Sequence, residues 1–250
     1  ANNIEGIAGI LNGTTNFILT KMIEDGMTFE AALKLAQDNG YAEKDPTADI
    51  EGFDACRKVC ILASLAFGKH VYPNQVEAEG ITNITLEDVS YISSIGGVIK
   101  LLGQIKYIND DKIAAFVSPA VVFHGSQLAS VNGVFNAILV RGDAVGDVCF
   151  YGQGAGKLAT ASAVVADMVD SAVHVERRIN FGWSAGNEDY VVDEKATIEM
   201  PFYVRAKSSE PKVKALLNDV KFLTRVGQPS DEVAFITDSM TQNELNEKLK

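Results

Sequence analysis

Residues 40–59 read Gly40-Tyr-Ala-Glu-Lys-Asp-Pro-Thr-Ala-Asp-Ile-Glu-Gly-Phe-Asp-Ala-Cys-Arg-Lys-Val59. Residues 41–51 form a polar loop with four carboxylates and one proline. The rest opens a helix that we predict from about Gly52 to Phe67 and that is apolar on nearly all sides. Since a helix without a polar stripe is usually buried on most of its surface, this pattern predicts a central helix entered from an acidic loop.

The few charges of that predicted helix lie together. Asp54, Arg57 and Lys58 stand at i, i+3 and i+4, so they share one face of its first turns. Charges on a buried helix are costly unless they are paired, which favours either a cleft into which they open or pairing among themselves. A plain surface pair between Asp54 and Lys58 explains the spacing equally well, and periodicity leaves both interpretations open.

Outside this stretch the chain predicts an α+β fold, a mostly antiparallel sheet covered by helices. Helical periodicity dominates the first 70 residues, with a helix ended by Gly26 and a second one capped by Thr28. A further helix is predicted after Thr85. Short turns then separate four β-rich runs, which favours antiparallel neighbours. These runs are Val98–Ile108, Ile113–Phe123, Val131–Arg141 and Ala144–Tyr151.

A glycine loop follows the last of these runs. Gly152, Gly154 and Gly156 precede a helix predicted from Leu158 to about Ala172. Bare backbone N–H groups at a helix start suit an anion or the polar edge of a cofactor. The spacing lacks the third glycine of the dinucleotide-binding fingerprint and no parallel βαβ unit surrounds it, which excludes a Rossmann interpretation. A tight turn before a packed helix explains the glycines about as well.

The end of the chain predicts a separate, smaller unit. We expect a main domain over residues 1–178, an irregular linker over 179–195 and a βαββα unit over 196–250. A complete βαββαβ module needs one more strand, so this unit is expected to be cut short or completed by another chain. Its predicted elements are a strand at Ile198–Ala206, a helix from Pro211 to about Leu217, strands at Lys221–Val226 and Glu232–Thr237, and a helix from Thr241.

Composition excludes several classes of protein. The 250 residues carry a net charge of −11 without a basic cluster, which argues against a nucleic-acid partner. No apolar stretch is long enough to span a membrane, and no signal peptide is recognisable, so a cytoplasmic protein is expected. The three cysteines, an odd number, argue against a disulfide framework, and Cys56 and Cys60 are predicted to be buried reduced thiols. The scattered histidines predict no metal site.

Three segments resemble the homoserine dehydrogenase family, over about residues 4–175. They are Gly9-Ile-Leu-Asn-Gly-Thr-Thr-Asn-Phe-Ile-Leu19, the stretch 40–59 quoted above, and Phe150-Tyr-Gly-Gln-Gly-Ala-Gly156 with the helix that follows it. The part that they resemble is the substrate-binding, catalytic and dimerisation domain. The tail from residue 196 resembles the ACT-type regulatory domain that many bacterial members carry.

The resemblance implies an activity and a set of residues. The family interconverts L-homoserine and L-aspartate 4-semialdehyde with NAD or NADP, a step of threonine and methionine biosynthesis. Lys58 corresponds to the lysine that transfers a proton at the substrate hydroxyl. Glu43, Asp49 and Asp54 correspond to substrate-binding carboxylates, Glu43 holding the amino group. Positions near the nicotinamide end of the cofactor are implied for Gly152, Gly154 and Gly156, with Thr14 beside them.

The resemblance also says what this chain does not contain. Members begin with a nucleotide-binding domain, so the chain is expected to carry the substrate half of the site and to lack turnover alone. A homodimer or larger homo-oligomer and a threonine effector are implied, although residues 208–212 lack the glycine of the usual ACT loop. The alternative is a stand-alone amino-acid-binding or dimerisation module without catalysis, which the segment preceding residue 1 in the gene would distinguish.

Overall fold

The computed structural model describes residues 2–176, 182–217 and 219–250, and they form an α+β fold with a mixed sheet covered by helices. The strands are β1 Ile4–Ile10, β2 Glu77–Ala78, β3 Gly97–Asn109, β4 Lys112–Phe123, β5 Phe135–Gly142, β6 Gly146–Gln153, β7 Tyr203–Lys207, β8 Val220–Leu223 and β9 Glu232–Thr237. The helices are α1 Gly13–Asp25, α2 Phe29–Asp38, α3 Thr47–Ile50, α4 Phe53–Phe67, α5 Leu86–Ser93, α6 Lys157–Val173, α7 Glu194–Thr197, α8 Glu210–Leu216 and α9 Gln242–Lys248.

The large sheet has the strand order β2-β4-β3-β1-β5-β6 in the described residues. Its long hairpin β3–β4 runs in register from Gly97 opposite Phe123 to Asn109 opposite Lys112. Every pairing is antiparallel except the short parallel one between β2 and β4. The predicted α+β class and the mostly antiparallel sheet are therefore confirmed, with one parallel edge that the sequence did not indicate.

Strand β1 was not predicted, although it lies in the middle of the sheet between β3 and β5. It contains Gly6 and Gly9, and glycine weakens the local preference for a strand. Hydrogen-bonded neighbours on both sides stabilise it instead, which no local pattern reveals. The strand predicted at Val131–Arg141 begins only at Phe135, because a 3₁₀ turn at residues 127–130 and a loop occupy the preceding positions.

Helix α4 packs on the sheet through one face. Val59 and Ala63 are fully buried there, whereas Ile61 is 54% exposed and Leu65 is 51% exposed. The prediction that this helix is buried on most sides is wrong for its outer face. An apolar sequence all round a helix indicates that every side is compatible with burial, but the fold covers only the side that meets the sheet.

The predicted linker packs on the main sheet where the structure describes it; its residues 179–181 lie outside the described ranges. Tyr190 is only 2% exposed. Ile113 N–H donates to the Tyr190 carbonyl at 3.0 Å, and Val192 N–H donates to the Ile113 carbonyl at 2.9 Å. The segment is irregular, as predicted, but it is anchored at the start of β4.

The C-terminal strands form a small antiparallel sheet of order β7-β9-β8 within the described residues. Strand β9 and the capped last helix are confirmed, and Thr241 accepts from Glu244 N–H as the N-cap of α9. The predicted strand from Ile198 begins only at Tyr203, since the short helix α7 and Pro201 precede it. None of the described helices is long and apolar enough to cross a membrane.

Ion pairs join this unit to α5 of the main domain. Arg205 on β7 donates to Asp88 on α5 at 2.8 Å and to Glu232 on β9 at 3.1 Å. Tyr203 donates to Asp88 at 2.9 Å, and Tyr91 donates to Glu232 at 2.9 Å. Burial, more than the neighbouring Asp88 carboxylate, raises the pKa of Tyr203 above its ordinary range. The contact between the two units thus contains a polar network that is largely shielded from water, and beside it Leu223 and Ala234 join the apolar core of the main domain.

Candidate active site at the start of helix α1

The candidate site begins where β1 ends and α1 starts. Asn12 is the N-cap of α1, and its Oδ1 accepts from Thr15 N–H at 2.9 Å. The residue has extended backbone angles and is only 6% exposed. An asparagine at this position satisfies one of the free N–H groups of the first helical turn. Its amide nitrogen remains available for other contacts.

That amide nitrogen donates to two carboxylates. Asn12 Nδ2 lies 2.7 Å from Asp49 Oδ1 and 2.9 Å from Asp54 Oδ2. Asp49 lies on α3 and Asp54 lies in the first turn of α4, so the single amide connects three helices. Two of the predicted substrate-binding residues are therefore brought together.

Lys58 completes this cluster. Its ammonium donates to Asp54 Oδ2 at 2.6 Å and to the Leu11 carbonyl at 2.9 Å. An ammonium has three N–H donors, so one remains for a ligand. The side chain is 46% exposed, which leaves that donor accessible. The Asp54–Lys58 pair exists, but the backbone of Leu11 and the amide of Asn12 hold it, so it is more than a plain surface pair.

A glycine connects the acidic loop to α4. Gly52 has φ of +81°, a left-handed conformation that other residues adopt only with strain. This residue lets the chain turn directly from α3 into α4, so that Asp49 and Asp54 reach the same amide. The start of the loop is held as well, because Thr14 Oγ1 donates to the Tyr41 carbonyl at 2.7 Å.

Glu43 lies in the same loop but does not join the hydrogen-bonded cluster. Its side chain is exposed and forms no hydrogen bond or ion pair with the described residues, while its backbone carbonyl accepts from Gln37 Nε2 at 3.1 Å. The loop places it two residues after Tyr41, which Thr14 ties to the first turn of α1. Its carboxylate thus has no partner among the described residues and is available for a ligand.

The glycine segment 152–156, predicted as a loop, lies beside the same helix start; its first two residues still belong to β6. Gly152 is opposite Asn136 in the β5–β6 pair. A Cβ at Gly154 would lie 2.6 Å from Asn136 Oδ1, and a Cβ at Gly13 would lie 3.6 Å from the same atom. The Asn136 amide therefore lies between the glycine loop and the first turn of α1.

Sequence reasoning missed Asn12, the Leu11 carbonyl and Asn136. The order Asn-Gly-Thr-Thr before an apolar periodic run is a recognisable helix start, and it could have identified Asn12 as a cap. The two carboxylate contacts of Asn12 depend on the tertiary fold, and the sequence carries no signal for them.

A separate cavity of about 350 Å³ lies on the neighbouring face of α4. Its wall includes Phe53, Cys56 and Arg57 from the helix and residues 73–78 from the chain that follows. None of the predicted site residues lines it. We therefore place the candidate site at the Asn12 cluster and not in this cavity.

The family model of homoserine dehydrogenase matches residues 1–169. The chain belongs to the homoserine dehydrogenase family. A homoserine dehydrogenase of Synechocystis is 47% identical over 172 residues, which are 68% of this chain and 40% of that protein. The resemblance inferred from three sequence segments is confirmed, and the chain spans about two fifths of the length of such curated relatives.

Solved structures of homoserine dehydrogenases extend the likeness beyond the matched domain. One from Thiobacillus denitrificans has a TM-score of 0.85 at 35% identity and covers 99% of this chain and 60% of that chain. A hyperthermophilic archaeal homoserine dehydrogenase in complex with NADPH has a TM-score of 0.55 at 31% identity and covers 69% of this chain and 48% of that chain. The first of these matches includes the C-terminal unit of this chain.

Proposed function

We propose that the protein containing this chain interconverts L-homoserine and L-aspartate 4-semialdehyde with NAD or NADP. The observation that carries the proposal is the Lys58 ammonium, held by Asp54 Oδ2 and the Leu11 carbonyl with one donor left for a ligand. Membership of the homoserine dehydrogenase family supports the reaction, and the archaeal relative in complex with NADPH supports the cofactor.

In the proposed reaction, Lys58 moves the proton at the substrate oxygen. Reduction of the aldehyde needs a proton on its oxygen, and the remaining N–H of Lys58 donates it. Oxidation of the alcohol is the reverse, in which Lys58 takes the hydroxyl proton. Positioned proton transfer of this kind typically contributes ~10²–10⁴-fold to a rate. Asp54 and Leu11 keep Nζ in place.

Carboxylates of the acidic loop bind the substrate amino group in this proposal. A zwitterionic amino acid needs a negative partner for its ammonium, and Glu43 has an exposed carboxylate without a partner among the described residues. Asp49 uses only Oδ1 for its contact with Asn12, so its second oxygen is available too. Both residues lie on the segment that leads into α4, the helix that carries Asp54 and Lys58.

The glycine loop fits the nicotinamide end of the cofactor, which supplies or accepts the hydride when bound. A Cβ at Gly152 or Gly156 would point into open space, whereas a Cβ at Gly154 would collide with the Asn136 side chain. Backbone without side chains at these positions lets a flat ring approach closely. We propose that Gly152, Gly154 and Gly156 contact the cofactor and that Thr14 lies beside it.

Replacement of Lys58 by alanine tests the proposed function in the protein that contains this chain. We expect kcat for homoserine oxidation to fall at least about 100-fold, the low end of general acid–base effects. Lys34→Ala is the matched control, because Lys34 forms an exposed pair with Asp38 on α2, outside the cluster. Turnover of Lys58→Ala within a few-fold of the parent would remove Lys58 from the reaction.

We further propose that the chain forms a homodimer through the β6–α6 surface. Large apolar side chains are exposed there, and contiguous exposed apolar surface marks contacts with other proteins. They are Phe150, Tyr151, Leu158, Val164, Val165, Met168, Val169 and Val173. Sedimentation equilibrium should give twice the chain mass, and Val165→Asp should shift the protein towards the monomer; a parent that is monomeric at micromolar concentration contradicts this proposal.

We also propose that the C-terminal unit is an ACT-type domain that binds threonine, in a protein that works in the cytoplasm. The order β7-α8-β8-β9-α9 with the antiparallel sheet β7-β9-β8 supports the domain type. The free cysteines support a reducing compartment. A rise of the melting temperature in millimolar threonine is expected; an unchanged midpoint argues against the effector.

A further inference from the structure

Asn12 uses every polar atom of its side chain in a way that no other residue type reproduces. Its oxygen accepts from Thr15 N–H at 2.9 Å, which caps α1. Its nitrogen donates to Asp49 at 2.7 Å and to Asp54 at 2.9 Å. A carboxamide supplies one acceptor and two donor hydrogens, so its capacity matches these contacts. The side chain is 6% exposed, and burial makes each of these hydrogen bonds costly to lose.

The contacts of Asn12 compensate an imbalance of charge. In the described residues that hydrogen-bond in this cluster, the charged groups are Asp49, Asp54 and Lys58. Lys58 pairs with Asp54 and not with Asp49. Two carboxylates that approach the same atom repel each other, and only a donor between them makes the arrangement favourable. The amide of Asn12 is that donor.

Lys58 depends on the same segment of backbone. The Leu11 carbonyl accepts from its ammonium at 2.9 Å, and Asn12 follows directly in sequence. Residues 11 and 12 thus hold both members of the Asp54–Lys58 pair, one through a carbonyl and one through an amide. A long, half-exposed lysine has many rotamers, so this double attachment decides where Nζ lies.

We propose that Asn12 is a positioning residue of the dehydrogenase reaction, which holds Asp49 and Asp54 side by side and thereby fixes the Lys58 ammonium at the substrate oxygen. This inference rests on the proposed function and adds to it a residue with no part in the chemistry itself. Asparagine is required because its oxygen caps α1 while its nitrogen serves the carboxylates. A displacement of about 1 Å in a catalytic group costs on the order of 100-fold in rate.

Asn12→Asp separates the two roles in the protein that contains this chain. Aspartate is as good an N-cap as asparagine, so α1 keeps its cap, but the donors are lost and a third carboxylate is added. We expect kcat to fall on the order of 100-fold with KM for homoserine changed less. The pH–rate profile for oxidation should move to higher pH, because an added negative charge favours protonated Lys58. The melting temperature should fall as well, because a third carboxylate joins two that already repel each other, so kcat and the pH profile carry the test. Asn12→Ala loses cap and donors without adding a charge.

Thr28→Ala is the control for the loss of a cap, since Thr28 accepts from Ala31 N–H at the start of α2, outside the cluster. It should lower the melting temperature and leave kcat and the pH profile unchanged. An Asn12→Asp variant with the kcat and pH profile of an active parent would refute the positioning role. An inactive parent would instead refute the proposed function. The ¹³Cε resonance of labelled Lys58 then still tests the contact, and an identical titration in parent and Asn12→Asp overturns it.

Discussion

Replacement of the buried Lys100 by methionine should change how stability depends on pH. Lys100 lies on β3 and is only 1% exposed. Its ammonium donates to the Val131 carbonyl at 2.6 Å, to Asn132 Oδ1 at 3.0 Å and to Asn16 Oδ1 at 3.2 Å, all of them neutral acceptors. Methionine has a similar shape and does not titrate.

The magnitude follows from the pKa of Lys100. Burial lowers it from 10.5 to about 8, against the opposing charge of Glu24. Each unit corresponds to about 1.4 kcal/mol, so burying the charged form costs about 3 kcal/mol at pH 7. Between pH 8 and 10.5 the unfolded chain holds this proton and the folded chain does not, so the free energy of unfolding rises with pH across that window. Below pH 8 both states are protonated and the penalty is constant.

Urea denaturation followed by far-UV circular dichroism, at pH values from 7 to 10, measures this difference. The free energy of unfolding of the parent should rise relative to Lys100→Met by about 2.5 kcal/mol over that range. The three hydrogen bonds lost in the variant offset the removed charge, so the slope is diagnostic and a value at one pH is not. Lys106→Met, an exposed position on the same strand, should run parallel to the parent. Parallel curves for Lys100→Met would refute the reasoning.

Two further substitutions test the contacts that place the units and the site. Arg205→Met removes the cation that pairs with Asp88, whose side chain is only 8% exposed, and should lower the free energy of unfolding in urea by about 3 kcal/mol. Arg141→Met, in an exposed pair, should lower it by less than about 1 kcal/mol. Equal losses would contradict a buried ion pair. Gly52→Ala and Gly227→Ala both force alanine into a left-handed conformation, with φ of +81° and +73°, so each should lower the free energy of unfolding by about 1–2 kcal/mol. Only Gly52→Ala should also lower kcat for homoserine oxidation. An unchanged kcat would show that Gly52 does not shape the site.

Much of the fold was predictable because it follows local patterns. The long hairpin β3–β4, helix α4 and helix α6 are apolar runs bounded by turn residues, and their predicted bounds agree with the structure to within one or two residues. Strand β1 was not predictable in the same way, because its glycines weaken the local signal and its stability comes from β3 and β5 on either side. The short parallel pairing of β2 with β4 at the edge of the sheet also depends on residues that are distant in sequence.

The candidate site likewise has a part that local sequence predicts and a part that depends on the tertiary fold. The spacing of Asp54 and Lys58 by one helical turn places them on a common face in any helix, so their pairing could be predicted from sequence. The position of Gly154 beside the start of α1 came only from the fold, since Gly154 and Gly13 are far apart in sequence. The assignments of Glu43, Asp49 and the glycine loop to substrate and cofactor stay predictions, which the experiments above address.

The amino-acid sequence by itself determined the family, through three segments that resemble it, and the α+β class, through local periodicity. The resemblance also named the carboxylates and the lysine around which a site could form. Only the tertiary structure decided that Asn12 lies between Asp49 and Asp54 and that the Leu11 carbonyl reaches Lys58. The physical reason is that a hydrogen bond needs its atoms within about 3 Å. Residues 12, 49 and 54 reach that distance only when α1, α3 and α4 pack together, which depends on the folding of the whole domain.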